Sequence, residues 1–316
     1  MPAPAHQGRG GPLCQTKGSG AKGMNRSRAN RLTPYLLLLP SFLILLPFLY
    51  WPTLQSFIMS LYREAPFGAK KFFCGLDNYA NILTDPAYLS SLWKTLVFTA
   101  VATGVGLSLS LICAVMLNHK IRGAKFYRTF FFIPYAISPP VAASLWIFLL
   151  NPVAGFVNYI LYCLFHIQPP WLTDGFLAFV SVTVACVWKD MGFNILFYLA
   201  GLQSIPESVS EAGKIDGASP LQRFFKITVP LLSPTTFYLV VMNLIFAIFE
   251  NFGVFDIMTA GGPANATNFL MYNLYRDVFI NFRPGSAAAQ SVVLFILIIG
   301  VTAIHFKYSG EHVHYQ

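Results

Sequence analysis

Six stretches of this sequence are long and apolar enough to cross a lipid bilayer, and the segments between them are short. They run over residues 34–62, 92–117, 129–150, 176–203, 231–254 and 287–306. About 20 helical residues cover the roughly 30 Å hydrocarbon core, and in lipid every backbone group must find its partner within the segment. The expected fold is therefore all-α: a multi-pass membrane protein with six transmembrane helices. Only 10% of the chain is charged, less than half of the roughly 25% usual in soluble domains. The net charge of +9 could suggest a nucleic-acid partner in a soluble protein. Here its distribution decides. With the N-terminus inside, the inner segments hold fourteen Lys and Arg against five outside. Loops rich in Lys and Arg stay in the cytoplasm, so both termini are expected there.

The spans carry internal features. Pro40, Pro47 and Pro52 should kink the first, with Tyr50 and Trp51 late in it as interfacial aromatics. Gly104, Gly106, Ser108 and Ser110 read as a small-residue stripe that permits close helix contact. Pro134, Pro139 and Pro140 lie inside the third span. The fourth holds Lys189, Asp190 and Asn194, and the fifth Asn243, Glu250 and Asn251. Such groups are costly in lipid and should face the interior, either lining a transport path or pairing with one another, Lys189 with Glu250. Lys189 and Asp190 are expected on diverging faces, since adjacent residues do not face each other on a helix. Lys94 is expected to snorkel to the interface.

Residues 1–29 have too little apolar content to fold alone and read as a disordered tail, with Met24 as the expected initiator and no cleaved signal peptide. The membrane domain is expected over 30–316. Cys14, Cys74, Cys113, Cys163 and Cys186 are scattered, with no spacing for a metal site or disulfide framework. No Gly-x-x-x-x-Gly-Lys-Ser/Thr loop and no Ser/His/Asp grouping appears, so the chain is not expected to be an enzyme or to bind ATP. Energy should come from another subunit or from an ion gradient. A secondary transporter should show inverted repeats, and no convincing repeat is present.

The longest polar island of the second half, Glu211–Pro230, lies in the segment 204–230 between the fourth and fifth spans. Residues 206–214 read as a short helix capped by Ser204 or Ser208, with Gly217 terminating it in the left-handed region. Ser219-Pro220 then opens a second helix. The island is thus a cytoplasmic helix-turn-helix.

Its residues resemble a known pattern. Permease subunits of binding-protein-dependent ABC importers carry Glu-Ala-Ala, three residues, Gly, nine residues, Ile, one residue, Leu-Pro. Glu211, Ala212, Gly217, Ile227 and Pro230 stand in register, with Gly213 and Val229 as departures. Gly213 should cost the helix about 1 kcal/mol against alanine. Phe132-Ile-Pro-Tyr-Ala, Leu145-Trp-Ile-Phe-Leu, and Gly261-Gly-Pro followed by Thr267 resemble the sugar-permease branch. The run from Ile215 to Ile227 and the run from Ala287 to Leu294 resemble the A-type permeases of sn-glycerol-3-phosphate importers.

The resemblance implies a type I importer permease fold in the bacterial inner membrane. The 204–230 segment would be the coupling loop, with Glu211, Ala212, Gly217, Ile227 and Pro230 docking on an ATPase subunit that uses ATP and Mg. It also implies two such ATPase subunits, a second homologous permease and an external binding protein touched by Gly261, Gly262 and Pro263. Lys189, Asp190, Asn194, Asn243 and Glu250 would line the path. The implied substrate is sn-glycerol-3-phosphate, with neutral sugars or polyols as the alternative.

Overall fold

The computed structural model describes residues 23–64, 71–118 and 123–310 and is helical almost throughout. Residues 1–22 of the expected tail lie outside the described residues. Residues 23–29 already belong to the first helix, α1 (Gly23–Leu45), where Ala29 and three arginines are good helix formers. The chain divides into two compact units, residues 1–55 and 56–316. In the first, α1 gives way to a π-helical turn at Leu46–Tyr50 and then to α2 (Trp51–Met59). Pro47 has no N–H to donate and its ring crowds the carbonyl one turn back, so the helix widens there as expected of a proline-bearing span.

In the second unit, strands β1 (Tyr62–Glu64) and β2 (Lys71–Phe73) pair as a short antiparallel ribbon. Helix α3 (Asp77–Thr84) follows. The second span, α4 (Pro86–Asn118), starts six residues before the expected position, on Pro86.

The third span is a correction. Instead of one helix over 129–150, α5 (Ala124–Ala136) and α6 (Pro139–Leu149) meet at 101°. Ser138 precedes a proline, which disfavours the helical region, and its backbone is extended (φ −65°, ψ 148°). Pro139 and Pro140 supply no N–H to the last turn of α5 and begin α6 instead. A short helix, α7 (Phe156–Phe165), leads to α8 (Gly175–Ser204), capped by Asp174, whose side chain accepts from the Leu177 N–H. The fourth span thus lies where it was expected.

After the polar segment come α9 (Glu207–Ile215), α10 (Pro220–Arg223), a π turn at Phe224–Thr228 and α11 (Val229–Leu231). The fifth span, α12 (Ser233–Ile245), ends in a π turn at Phe246–Glu250. It does not run smoothly to 254: the chain bends at Asn251 into α13 (Phe252–Thr259). Then α14 (Leu270–Phe279) and the last span, α15 (Pro284–Gly310), follow. Buried Asp277 on α14 accepts from Asn281, Ser286 and Gln290, fastening α14 to α15. Among the described residues five segments are long and apolar enough to cross a membrane, and α5 with α6 is a bent sixth candidate.

The core of this unit is the contact of α4 with α8, flanked by α5, α12 and α13. Phe98, Phe255 and Phe269 form one aromatic centre, with ring centroids 4.6–5.2 Å apart. The small residues of α4 do not form a single stripe. Gly106 and Ser110 are buried, whereas Gly104 and Ser108 are exposed. Residues two apart point to different sides of a helix, whereas residues three or four apart share a face.

At Gly192 of α8 a Cβ would stand 2.5 Å from the Phe131 carbonyl oxygen and 3.0 Å from Phe132 Cα. These are backbone atoms of α5 and cannot step aside alone. Gly192→Ala should therefore destabilise the protein by about 1–3 kcal/mol. Gly104→Ala, with nothing within 4 Å, should not lower the thermal midpoint in detergent. Equal midpoints for the two variants would show that α5 does not rest on Gly192.

Candidate site: a polar chamber between helices and two flanking turns

Lys189 and Asp190 are both 6% exposed, deep in α8. They do not diverge: Lys189 Nζ donates to Asp190 Oδ1 at 3.2 Å, because the four-carbon lysine stem can fold back to its neighbour. The same ammonium stands 5.8 Å from the Tyr135 ring centroid of α5, a cation–π distance. The other carboxylate oxygen, Oδ2, accepts from Asn251 Nδ2 at 2.8 Å.

The expected Lys189–Glu250 pair is not present. Glu250 is exposed, while its neighbour Asn251 is 1% exposed and turned inward. The π turn before Asn251 accounts for this, since one extra residue in a turn rotates everything after it.

One helical turn and more away, Asn194 and Asn243 exchange both amides. Asn194 Nδ2 donates to Asn243 Oδ1 at 3.0 Å, and Asn243 Nδ2 donates to Asn194 Oδ1 at 2.7 Å and to the Leu239 carbonyl at 2.8 Å. Asn243 is thus fully partnered. The two asparagines clasp α8 to α12.

Thr103, Gly106, Asp190, Asn194, Asn243 and Asn251 enclose a chamber with room for about one water molecule. Thr103 Oγ1 and Asn251 Oδ1 are buried there without a partner among the described residues. The sequence reading did not single out Thr103. The available signal was the row Thr99, Thr103, Gly106, Ser110, which recurs at helical spacing and marks one face of α4.

The polar segment after α8 forms the expected hairpin, with one change. Neither Ser204 nor Ser208 caps α9: Ser204 Oγ donates back to the Gly201 carbonyl at 2.8 Å, and the cap position is Pro206. Gly217 takes the left-handed conformation, φ +75°. Ser219 and Gln222 form a reciprocal capping box: Ser219 Oγ accepts from the Gln222 N–H at 3.3 Å, and Gln222 Oε1 from the Ser219 N–H at 2.9 Å.

Gly213 is buried where the two arms meet, and a Cβ there would lie 2.8 Å from Ile227 Cδ1. Ile227 is thus an internal contact of the hairpin. Glu211, Ala212 and Pro230 are exposed, as are the apolar side chains of Ile215 (86%), Leu221 (69%) and Phe225 (60%).

The turn after α13 is tightly held. Gly261 (φ +75°) sits against the Tyr272 ring, 2.6 Å from where its Cβ would be. Thr267 Oγ1 donates to the Gly262 carbonyl at 2.7 Å. Lys94 does not snorkel freely. Its Nζ donates to the Asn265 carbonyl at 2.8 Å, and Arg276 reaches the Asn265 side chain at 3.3 Å. Gly261, Gly262 and Pro263 thus belong to one turn, to which Lys94 of α4 is bonded, and neither it nor the hairpin contributes a wall to the chamber.

The amide clasp can be tested by stability. Asn194→Leu leaves the Asn243 amide buried and short of partners, at a cost of about 1–3 kcal/mol. Adding Asn243→Leu removes the stranded group, so the double variant should melt higher than the sum of the single losses predicts. Strict additivity in detergent melting would show that the two amides are energetically independent.

The geometry matches known proteins. A family model described as binding-protein-dependent transport system inner membrane component matches residues 106–309. The sn-glycerol-3-phosphate transport system permease protein UgpA of Agrobacterium fabrum is 43% identical over 286 residues, 90% of this chain and 97% of that protein. The protein of the same name from Yersinia pestis is 44% identical over 283 residues, 90% of this chain and 96% of its own. Among solved structures, a bacterial ABC transporter involved in the import of the acidic polysaccharide alginate superposes with a TM-score of 0.79 at 22% identity, covering 91% of this chain and 98% of that one. That likeness extends the family match to the fold, a type I importer permease. By family match and by identity over nine-tenths of its length, this chain belongs to the inner membrane components of binding-protein-dependent transport systems and is a multi-pass permease subunit.

Proposed function

We propose that the chain forms half of the translocation path of an ATP-driven importer of sn-glycerol-3-phosphate in the bacterial inner membrane. The observation that carries this reading is the 42–44% identity, over about 90% of the chain, to permeases named for that substrate. The other half is a second, homologous permease. Two cytoplasmic ATPase subunits bind ATP and Mg, an external binding protein delivers substrate, and both termini lie in the cytoplasm. The inward-facing polar residues support a path through this chain. The turn holding Gly261, Gly262 and Pro263 is the contact for the binding protein, fixed in shape by Lys94, Arg276 and Tyr272.

In this reading the hairpin is the coupling element. Its exposed Ile215, Leu221 and Phe225 supply the apolar contact, Glu211 supplies a charge for a basic partner group, and Gly217, Ile227 and Pro230 set the shape. Glu211→Lys reverses that charge, and Gly217→Val forces a branched residue into a left-handed backbone. Both variants should insert normally but lose ATPase assembly or coupling. Full coupled uptake by both would sink the assignment.

Beside the chamber, paired with its wall residue Asp190, Lys189 is the cation available to a phosphate group, exchanging its Asp190 partner for substrate as the ester passes. A second reading, neutral sugars or polyols, is favoured by that same pair, because a lysine already neutralised offers no net charge. Transport assays with the cognate binding protein separate them. sn-Glycerol-3-phosphate should be taken up and stimulate ATP hydrolysis, and maltose should not. Replacing both members of the pair, Lys189→Met with Asp190→Asn, keeps the site electrically balanced. It should slow phosphate-ester uptake by about tenfold or more, the equivalent of one charge-assisted hydrogen bond. Stimulation by the sugar alone would move the chain to the second reading.

A further inference from the structure

We propose that α7 is an interfacial anchor, lying in the headgroup–acyl boundary of the membrane on the side where α8 begins. Residues 151–173 contain no Asp, Glu, Lys or Arg, and the first charge after them is Asp174, the cap of α8. Within this stretch α7 is ten residues long, about 15 Å, half of what a crossing needs. A helix this apolar and this short belongs in a protein core or at a membrane interface. The core is excluded. Only Asn158 of α7 is buried, while Phe156, Tyr159, Tyr162, Leu164 and Phe165 are all at least half exposed.

The depth of α7 follows from α8. Thirty helical residues extend about 45 Å, the thickness of a bilayer with its headgroups, so Gly175 lies at headgroup level. Trp171, four residues before Gly175, donates its indole N–H to Asn158 Oδ1 at 2.7 Å, and Asn158 Nδ2 reaches the carbonyl of Pro169 at 3.4 Å. These bonds fix α7 to the same level. The turn before it is fixed as well: Asn151 Oδ1 accepts from the N–H groups of Val153 and Ala154, both at 2.9 Å, and a Cβ at Gly155 would collide with the Asn151 carbonyl oxygen. An uncharged helix held there, with two tyrosines among its outward rings, has the composition of an interface. Such rings bury their bodies among acyl chains and keep their hydroxyls wet.

Cys163 lies on α7 and is exposed, which provides the probe. In the assembled transporter, in phosphatidylcholine–phosphatidylglycerol vesicles, a nitroxide on Cys163 with the other cysteines replaced by serine should collide with oxygen several-fold more often than with a water-soluble nickel chelate. That places the label about 5–10 Å below the headgroup surface. Greater access to nickel overturns the proposal in favour of an aqueous face. Protection from both reagents in the full assembly, but not in this chain alone, overturns it in favour of a protein partner. If the cysteine-replaced variant fails to assemble, native Cys163 gives the same distinction. It should react with a lipid-soluble maleimide and resist a charged one, with the modified peptide identified by mass spectrometry, and rapid reaction with the charged reagent overturns the proposal.

Discussion

A lysine and an aspartate sit next to each other inside α8, and the surrounding structure is arranged so that neither is alone. A lone ion in such a place would cost several kcal/mol even after relaxation. The Lys189–Asp190 contact removes most of that cost locally, within one helix. The remainder falls to neighbours: Tyr135 from α5 lies under the ammonium, and Asn251, at the bend between α12 and α13, donates to the carboxylate. Three elements are therefore tied to one ion pair. At the bend Asn251 is turned inward, while Glu250 beside it is exposed.

The hairpin and the chamber share the same two helices. α9 follows α8 after two residues, Ile205 and Pro206, and α11 leads into α12 through Leu232. Asn194 and Asn243 clasp those two helices within the membrane-spanning region. The hairpin is stiff: a capping box fixes one arm, a left-handed glycine fixes the turn, and Ile227 fills the space beside Gly213. Displacement of a stiff hairpin is applied to the ends of both helices together, and the amide clasp is a buried polar contact between them.

Hydropathy and proline positions made the helical, multi-pass architecture legible, and charge spacing made the polar segment legible. The hairpin could be read to the residue at Gly217 and Pro220, because glycine and proline act through their own backbones. What escaped the sequence depended on rotation. Lys189 and Asp190 looked divergent because helix geometry places Cβ atoms, whereas a lysine stem reaches several ångströms further. Glu250 looked like the partner and Asn251 did the work, because a π turn has no residue signature and shifts the register by one. The break at Ser138 required knowing that two prolines would start a helix and not merely kink one. Thr103 was hidden because a threonine on an apolar helix is ordinary unless its neighbours at helical spacing are read with it.

The 101° break between α5 and α6 also has a bearing on hydration. Pro139 and Pro140 have no N–H, so carbonyls of the last turn of α5 lack their helical donors. Lipid offers such oxygens nothing, and irregular backbone at membrane depth persists only against protein or a water-filled space. One side of the break is already covered, since Gly253 of α13 packs against both prolines. Tyr135, one residue before the end of α5, reaches towards the Lys189 ammonium. The break therefore borders the ion pair on the side where acyl chains are least welcome, which makes it the natural shoreline along which water can approach the charges from within the protein.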